Sequence, residues 1–340
     1  MNTDACTTAF TAAVFPPFLL QTLAEVVGQR CNAGESLCRG LGFDLKDLQD
    51  PSLRISYRQA SSMIQRALQL LPEQGLGLAV GNANVLGTLG ILGHALSLCR
   101  TLREALQIGQ RYHALSGGIV ILSLQESAAQ TSLQIDCHLA DSQVQRFAAE
   151  EFCASFMVYM RDLCGPDFKL LGVEFIHPQP SYVADYDALF GAHLSFGCSH
   201  NRLLLDSAWL DRPLRNHQPL ALQQALRLLE LEATQAHQTL DLIQAVERSI
   251  SRALRTGAHI EQIASELNMS ARTLRRRLQE QGLTFDRLLE QIRLARAVSL
   301  LANPKMPVQR ITEEAGYSDV RSFRRAFRRW TGQSPSDFRR

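Results

Sequence analysis

The chain has 340 residues, 46% of them hydrophobic, which is enough for two or three domains with their own cores and excludes extensive disorder. Its net charge of +2 hides two segments of opposite charge. Residues 248–340 carry 19 Lys plus Arg against 9 Asp plus Glu, a net of +10, which leaves 16 basic and 24 acidic residues before them, a net of −8.

In chain order, the apolar stretch at 10–20 follows Asp4, lacks a basic leader and contains Pro16-Pro17. That argues against a secretory signal and for a cytoplasmic protein. Residues 78–98 are apolar enough to suggest a membrane span, but Asn82, Asn84, His94 and several glycines make them buried helix with turns, so no membrane association is expected. Helical spacing of apolar residues recurs at 45–48, 57–71 and 101–115. After Gly117 the period changes: residues 118–124 and 131–137 look like strands joined by the polar turn 125–130, which predicts a hairpin. An amphipathic helix is expected over 143–163, stopped by Gly165-Pro166, with further strands at 169–176, 192–196 and 202–205. This is an α+β ligand-domain pattern, without the repeated β-α-β order of a parallel sheet. Residues 213–219 read as a boundary, 220–236 as a connector helix and 240–254 as the first helix of a basic domain, with Gly257 as its stop. The expected divisions are therefore 1–212, 213–235 and 236–340.

All eight cysteines precede residue 200, with no C-x-x-C pair, and are expected to be reduced core residues. Cys137-His138, His193, Cys198 and His200 could be drawn as metal ligands, but so loose a pattern fits ordinary structural residues better. No metal and no cofactor are expected.

The basic domain contains one pattern twice, 48 positions apart: Ile263-Ala264-x-x-Leu267-Asn268-Met269-Ser270-x-x-x-Leu274 and Ile311-Thr312-x-x-Ala315-Gly316-Tyr317-Ser318-x-x-x-x-Phe323. Each copy reads as a short helix, a tight turn and a second, arginine-rich helix opened by a capping serine, Ser270 or Ser318. The second copy has one more residue between its serine and its core aromatic. Positions three and four apart share a helix face, so Arg272, Arg275 and Arg276 project opposite Leu274 and Leu278. In the same way Arg321, Arg324, Arg325 and Arg328 lie opposite Phe323, Ala326, Phe327 and Trp330. Arginines so placed suit base edges in double-stranded DNA, because the planar guanidinium can donate two hydrogen bonds to guanine. Arg272, Arg275, Arg276, Arg321, Arg324 and Arg325 are the expected base readers. Ser270, Arg277, Ser318, Arg328 and Arg329 are expected at phosphates, unless the flanking arginines pair with carboxylates such as Glu280. Between the copies, residues 285–301 form a single helix with Leu288, Ile292, Ala295 and Val298 on one stripe, ended by Asn303-Pro304.

The run Gly316-Tyr317-Ser318-Asp319-x-x-Ser322-Phe323-x-Arg325-x-Phe327, continued by Gly332-x-Ser334-Pro335-x-x-Phe338-Arg339, resembles the signature of the AraC/XylS family of bacterial transcription regulators. Arg272-Thr273-Leu274-x-Arg276-Arg277-Leu278 and Gly282-x-Thr284-Phe285 resemble the family's first helix-turn-helix unit. Two departures are Thr312, where the family usually has alanine, and Gly282, reached one residue early. The body resembles the sensor domain of a subgroup that includes ornithine-utilisation regulators, through Leu41-Gly42-Phe43, Gly75-Leu76-Gly77-x-x-x-Gly81, Leu89-Gly90-x-Leu92-Gly93-x-Ala95 and Thr101-Leu102-x-Glu104-Ala105-Leu106. The resemblance implies an effector-sensing and dimerisation domain over 1–212 and an all-α double helix-turn-helix DNA-binding domain over 236–340. It also implies an activator that works with RNA polymerase as a homodimer, with a small-molecule effector such as ornithine.

The enzyme alternative is a cysteine-dependent DNA-alkyl transferase fused to such a DNA-binding domain. It lacks the Pro-Cys-His-Arg run that an activated thiolate of that kind uses, and no Gly-rich phosphate loop or His-Glu-x-x-His occurs. An architectural DNA binder would not need so large an acidic body.

Overall fold

The computed structural model describes residues 16–340 apart from 32, 51, 138, 140, 302, 304, 305, 332 and 340. Most of the apolar stretch at 10–20, His138, Pro304 and Gly332 therefore lie outside the described residues.

The change of period after Gly117 produces the expected hairpin. Strands β1 (Ile121–Glu126) and β2 (Gln130–Asp136) pair antiparallel, Ile121 opposite Asp136 and Glu126 opposite Thr131. Leu133 and Ile135 alternate into the core, as one buried sheet face requires. With β3 (Gly172–Glu174), β4 (His193–Ser195) and β5 (Asn201–Asp206) they form a sheet of order β1-β2-β5-β3-β4, antiparallel except for the β3–β4 pair.

The helix Ser142–Cys164 is the centre of this unit. Asp141 caps it by accepting from the Gln143 and Val144 amides, and Gly165, at φ +96°, ends it. The helix Leu76–Ala83 lies directly against it, an approach only glycine permits: a Cβ on Gly81 would stand 2.3 Å from the Glu151 carbonyl oxygen. The Gly77-x-x-x-Gly81 spacing is thus a packing device. The buried Glu150 carboxylate is held through one oxygen, its Oε1 accepting from Arg146 Nε at 3.0 Å, Tyr182 at 2.8 Å and Tyr186 at 2.6 Å.

The described residues cluster into two compact units, one within 16–236 and one within 237–339. Residues 213–218 are bonded into the first: Leu214 N donates to Arg100 O and Gln218 N to Leu98 O. Two helices were expected across 220–254. One helix, Pro219–Ala253, is found, because no glycine or proline interrupts the run after Pro219, itself well suited to a first helical turn.

In the second unit two hydrophobic cores share one helix. The first gathers Ile243, Val246, Ile250, Ile263, Leu274 and Leu278; the second gathers Ile311, Ala315, Phe323 and Phe327. The helix Phe285–Leu301 gives Phe285 and Leu288 to the first and Ala297 and Leu301 to the second. Leu288 and Ala297 are nine residues apart, about half a turn out of phase, so the cores grip opposite faces of this strut. The single stripe expected through Ala295 is therefore incorrect: Ala295 is exposed, because the burial face switches along the helix.

Candidate nucleic-acid interface and effector cavity

The two helix-turn-helix units are built by the same backbone bonds. In the first, the helix Ile260–Glu266 ends with Asn268 N donating to Ser265 O and Met269 N to Ala264 O; in the second, Val308–Glu314 ends with Gly316 N to Glu313 O and Tyr317 N to Thr312 O. These paired bonds close a helix through one left-handed residue, Asn268 at φ +54° and Gly316 at φ +76°. The Thr312 hydroxyl, buried, donates to Val308 O at 2.9 Å, so the residue that departs from the family's alanine is satisfied within its own helix. Arg293 of the strut donates to Gly316 O at 3.0 Å, and its guanidinium stands 4.6 Å from the Tyr317 ring centroid.

The recognition helices are Ala271–Gln279 and Val320–Thr331. Ser270 caps the first, accepting from Thr273 N at 3.1 Å. Ser318 does not cap the second. Asp319 does, its Oδ1 accepting from Ser322 N at 2.8 Å, since a carboxylate one residue closer to the helix competes better for the free amides. This correction removes the apparent extra residue: cap to first core side chain is Ser270 to Leu274 in one unit and Asp319 to Phe323 in the other, four positions in each. The insertion is Ser318, in the turn.

Among the described residues, Arg272, Arg275, Arg276 and Arg277 are exposed on the first recognition helix, and Arg321, Arg324, Arg325, Arg328 and Arg329 on the second; Ser270 and Ser318 are exposed beside them. Three of the arginines hold carboxylates: Arg275 with Glu261 at 2.8 Å, Arg276 with Glu280 at 3.6 Å, and Arg329 with Glu290. Glu280 thus pairs with an expected base reader rather than with Arg277, which instead reaches the Met269 sulfur at 4.0 Å. Such exposed pairs contribute little and exchange readily. Phe323 and Phe327 are fully buried, whereas Trp330 is only partly buried at the rim, packed on Tyr317 with ring centroids 6.2 Å apart.

The first unit holds a cavity that the sequence did not disclose, with about 890 Å³ of empty space counted out to its open mouth. Phe18, Leu92, Leu106, Leu122, Phe156 and Met160 give its apolar lining. The polar exception centres on Glu151, whose Oε1 accepts from Ser155 Oγ at 2.8 Å and Asn84 Nδ2 at 3.0 Å. Burial raises the pKa of Glu151 to about 7 against the lowering effect of those two donors. His113, also in the lining, stands edge-on to Phe152 with centroids 5.3 Å apart; burial lowers its pKa to about 4, so its ring is neutral at pH 7. The signal available in sequence was the acidic pair Glu150-Glu151 inside a largely apolar helix.

Burial also raises the cysteines, Cys38 and Cys164 to about 11 and Cys99 to about 12, which keeps those thiols protonated and unlike an activated acceptor. Among the described residues no group of three or more His, Cys, Asp or Glu could hold a metal ion, and no helix is long and apolar enough to cross a membrane.

Residues 33–214 match the family described as the arabinose-binding domain of AraC transcription regulator, N-term, and residues 263–340 match a helix-turn-helix domain. The chain belongs to the AraC family of transcription regulators. Two relatives align with it over nearly their whole length. It is 29% identical over 336 residues to an uncharacterised HTH-type transcriptional regulator of Mycobacterium tuberculosis, covering 96% of each chain. It is 28% identical over 334 residues to the ornithine utilization regulator of Pseudomonas aeruginosa, covering 97% of each. Among solved structures, the transcriptional regulator CdpR from Pseudomonas aeruginosa matches with 25% identity and a TM-score of 0.43, covering 82% of this chain and 91% of that one. Membership places the protein among DNA-binding regulators rather than enzymes.

Proposed function

We propose that the protein is a cytoplasmic, effector-responsive activator that reads two successive major grooves with its two recognition helices. What carries this reading is the equal build of the two units at opposite faces of a 17-residue strut, about 25 Å long, against the roughly 34 Å between successive major grooves. Arg272, Arg275, Arg276, Arg321, Arg324 and Arg325 read bases; Ser270, Arg277, Ser318, Arg328 and Arg329 meet phosphates. On binding, Arg275, Arg276 and Arg329 trade their exposed carboxylate partners for DNA.

In this reading 236–340 bind DNA, while 1–212 with the connector 213–235 supply effector control and homodimerisation. Activation through RNA polymerase comes with the family. The likeness to the ornithine utilization regulator of Pseudomonas aeruginosa makes ornithine one effector to test against the chemistry of the cavity itself.

The test uses a duplex selected from random sequence by the full-length protein. Inserting five base pairs between its two protected segments turns the second groove to the opposite side of the helix, which one strut cannot follow. Affinity is expected to fall at least tenfold; unchanged affinity overturns the two-groove reading.

A further inference from the structure

The donors around Glu151 are already spent on it and on one another. Ser155 Oγ and one Asn84 N–H reach Glu151 Oε1, the other Asn84 N–H reaches Ser155 Oγ at 2.8 Å, and Thr22 Oγ1 donates to Asn84 Oδ1 at 3.0 Å. Among the described residues none donates to Oε2. The cavity lining contains no Lys or Arg, and its histidine, His113, is neutral. The wall therefore offers an occupant one acidic acceptor and no cation.

We propose that the cavity takes a predominantly apolar molecule bearing one cationic amine and no carboxylate, its ammonium pairing with Glu151. The proposal rests on the reading of this unit as the effector domain. A carboxylate in the ligand would set two acids together in apolar surroundings with no cation to neutralise either. Ornithine carries a carboxylate as well as two ammonium groups, and the lining holds no Lys or Arg to pair with that carboxylate. A wholly apolar ligand would leave Oε2 unpaired once it displaced water. An ammonium supplies the missing donor as a charge-assisted bond, and an alkyl chain fills the remaining space.

The experiment is calorimetric titration of the full-length protein with octylamine, octanol, octanoate and ornithine, repeated with Glu151→Gln. Octylamine should bind at least tenfold more tightly than octanoate, ornithine should not bind, and Glu151→Gln should weaken octylamine at least tenfold while octanol stays within twofold. Octanoate or ornithine binding as well as octylamine overturns the assignment, as does no binding of octylamine to the unsubstituted protein. That comparison stands even if the variant fails to fold. Operator titrations separate this proposal from the sensor reading beneath it. Octylamine that binds without changing operator affinity supports the amine site and removes the sensor role; ornithine that shifts operator affinity while octylamine does not bind removes the amine site and leaves the sensor role.

Discussion

The carbonyl oxygen of Leu254 lies 2.3 Å from where a Cβ on Gly316 would stand, so the turn of the second helix-turn-helix unit rests directly on the end of the long helix Pro219–Ala253. Gly316 is at φ +76°, and two demands, conformation and space, fall on one residue.

Gly316→Ala should therefore destabilise the second unit by more than about 1 kcal/mol, beyond the ordinary penalty for a left-handed non-glycine residue. The equivalent Asn268→Gly in the first unit should be neutral or slightly stabilising. Chemical denaturation of the two variants gives the ordering, and a Gly316→Ala protein of normal stability would contradict the contact.

The cap assignment makes a sharper comparison of neighbours. Asp319→Ala should cost about 1 kcal/mol, the usual loss for a helix cap, while Ser318→Ala should stay within about 0.5 kcal/mol. Trp330 fluorescence during urea unfolding reports on this unit. Equal effects from the two changes would return the cap to Ser318.

Core truncation should separate the aromatic residues. Phe327, fully buried, should lose about 3–5 kcal/mol on change to alanine, and the rim residue Trp330 clearly less. Hydrogen exchange across residues 308–331 measures both, and a larger loss at Trp330 would refute the packing described.

For DNA, Arg272→Ala, Arg321→Ala, Arg324→Ala and Arg325→Ala should each lower affinity for the selected duplex more than for random duplex, by about 1–3 kcal/mol, with the fold intact. Arg328→Ala should weaken both duplexes alike and reduce the salt slope by about one unit. Titrations at several salt concentrations decide between the classes. Uniform losses from the first four would show them to be phosphate contacts.

His113 gives the first unit a pH dependence of defined sign. Its folded-state pKa, about 4, lies below its usual 6.5, so between these values the unfolded chain takes up a proton that the folded one refuses. The stability concerned is complete above about pH 6.5 and lost as pH falls towards 4, by up to about 3 kcal/mol. Glu151, raised to about 7, acts in the opposite sense, its penalty growing as pH rises from about 4.5 to 7. The comparison is therefore with His113→Phe, which keeps Glu151. Denaturation midpoints at pH 7.5 and 4.5 should fall further in the unsubstituted protein than in this variant; equal falls would mean the imidazole titrates normally.

Much of this was legible because local pattern and tertiary role coincide. The hairpin follows from two strand-like runs around a polar turn, and the two units from a repeat whose apolar positions are core positions in both copies. The cap of the second unit was misplaced because Ser318 and Asp319 are both good capping residues, and only the hydrogen bond distinguishes them. Ala295 was misplaced because a periodicity argument assumes one partner per helix, whereas the strut has two. The cavity was hidden for a different reason: Asn84, His113 and Glu151 come from separate segments, and what matters is the absence of a cation around them, which no local window reveals.

The grip of two cores on opposite faces makes the strut a device of phase as much as of length. Adding one residue between Ile292 and Ala297 would turn the second core by about 100° about the helix axis as well as moving it about 1.5 Å along it. Single insertions are thus barred here in a way that substitutions are not, and length can change only by near-integral numbers of turns. Spacing between the two units is consequently inherited in steps, so a shift in preferred site geometry would come from altered recognition side chains long before it came from a longer or shorter strut.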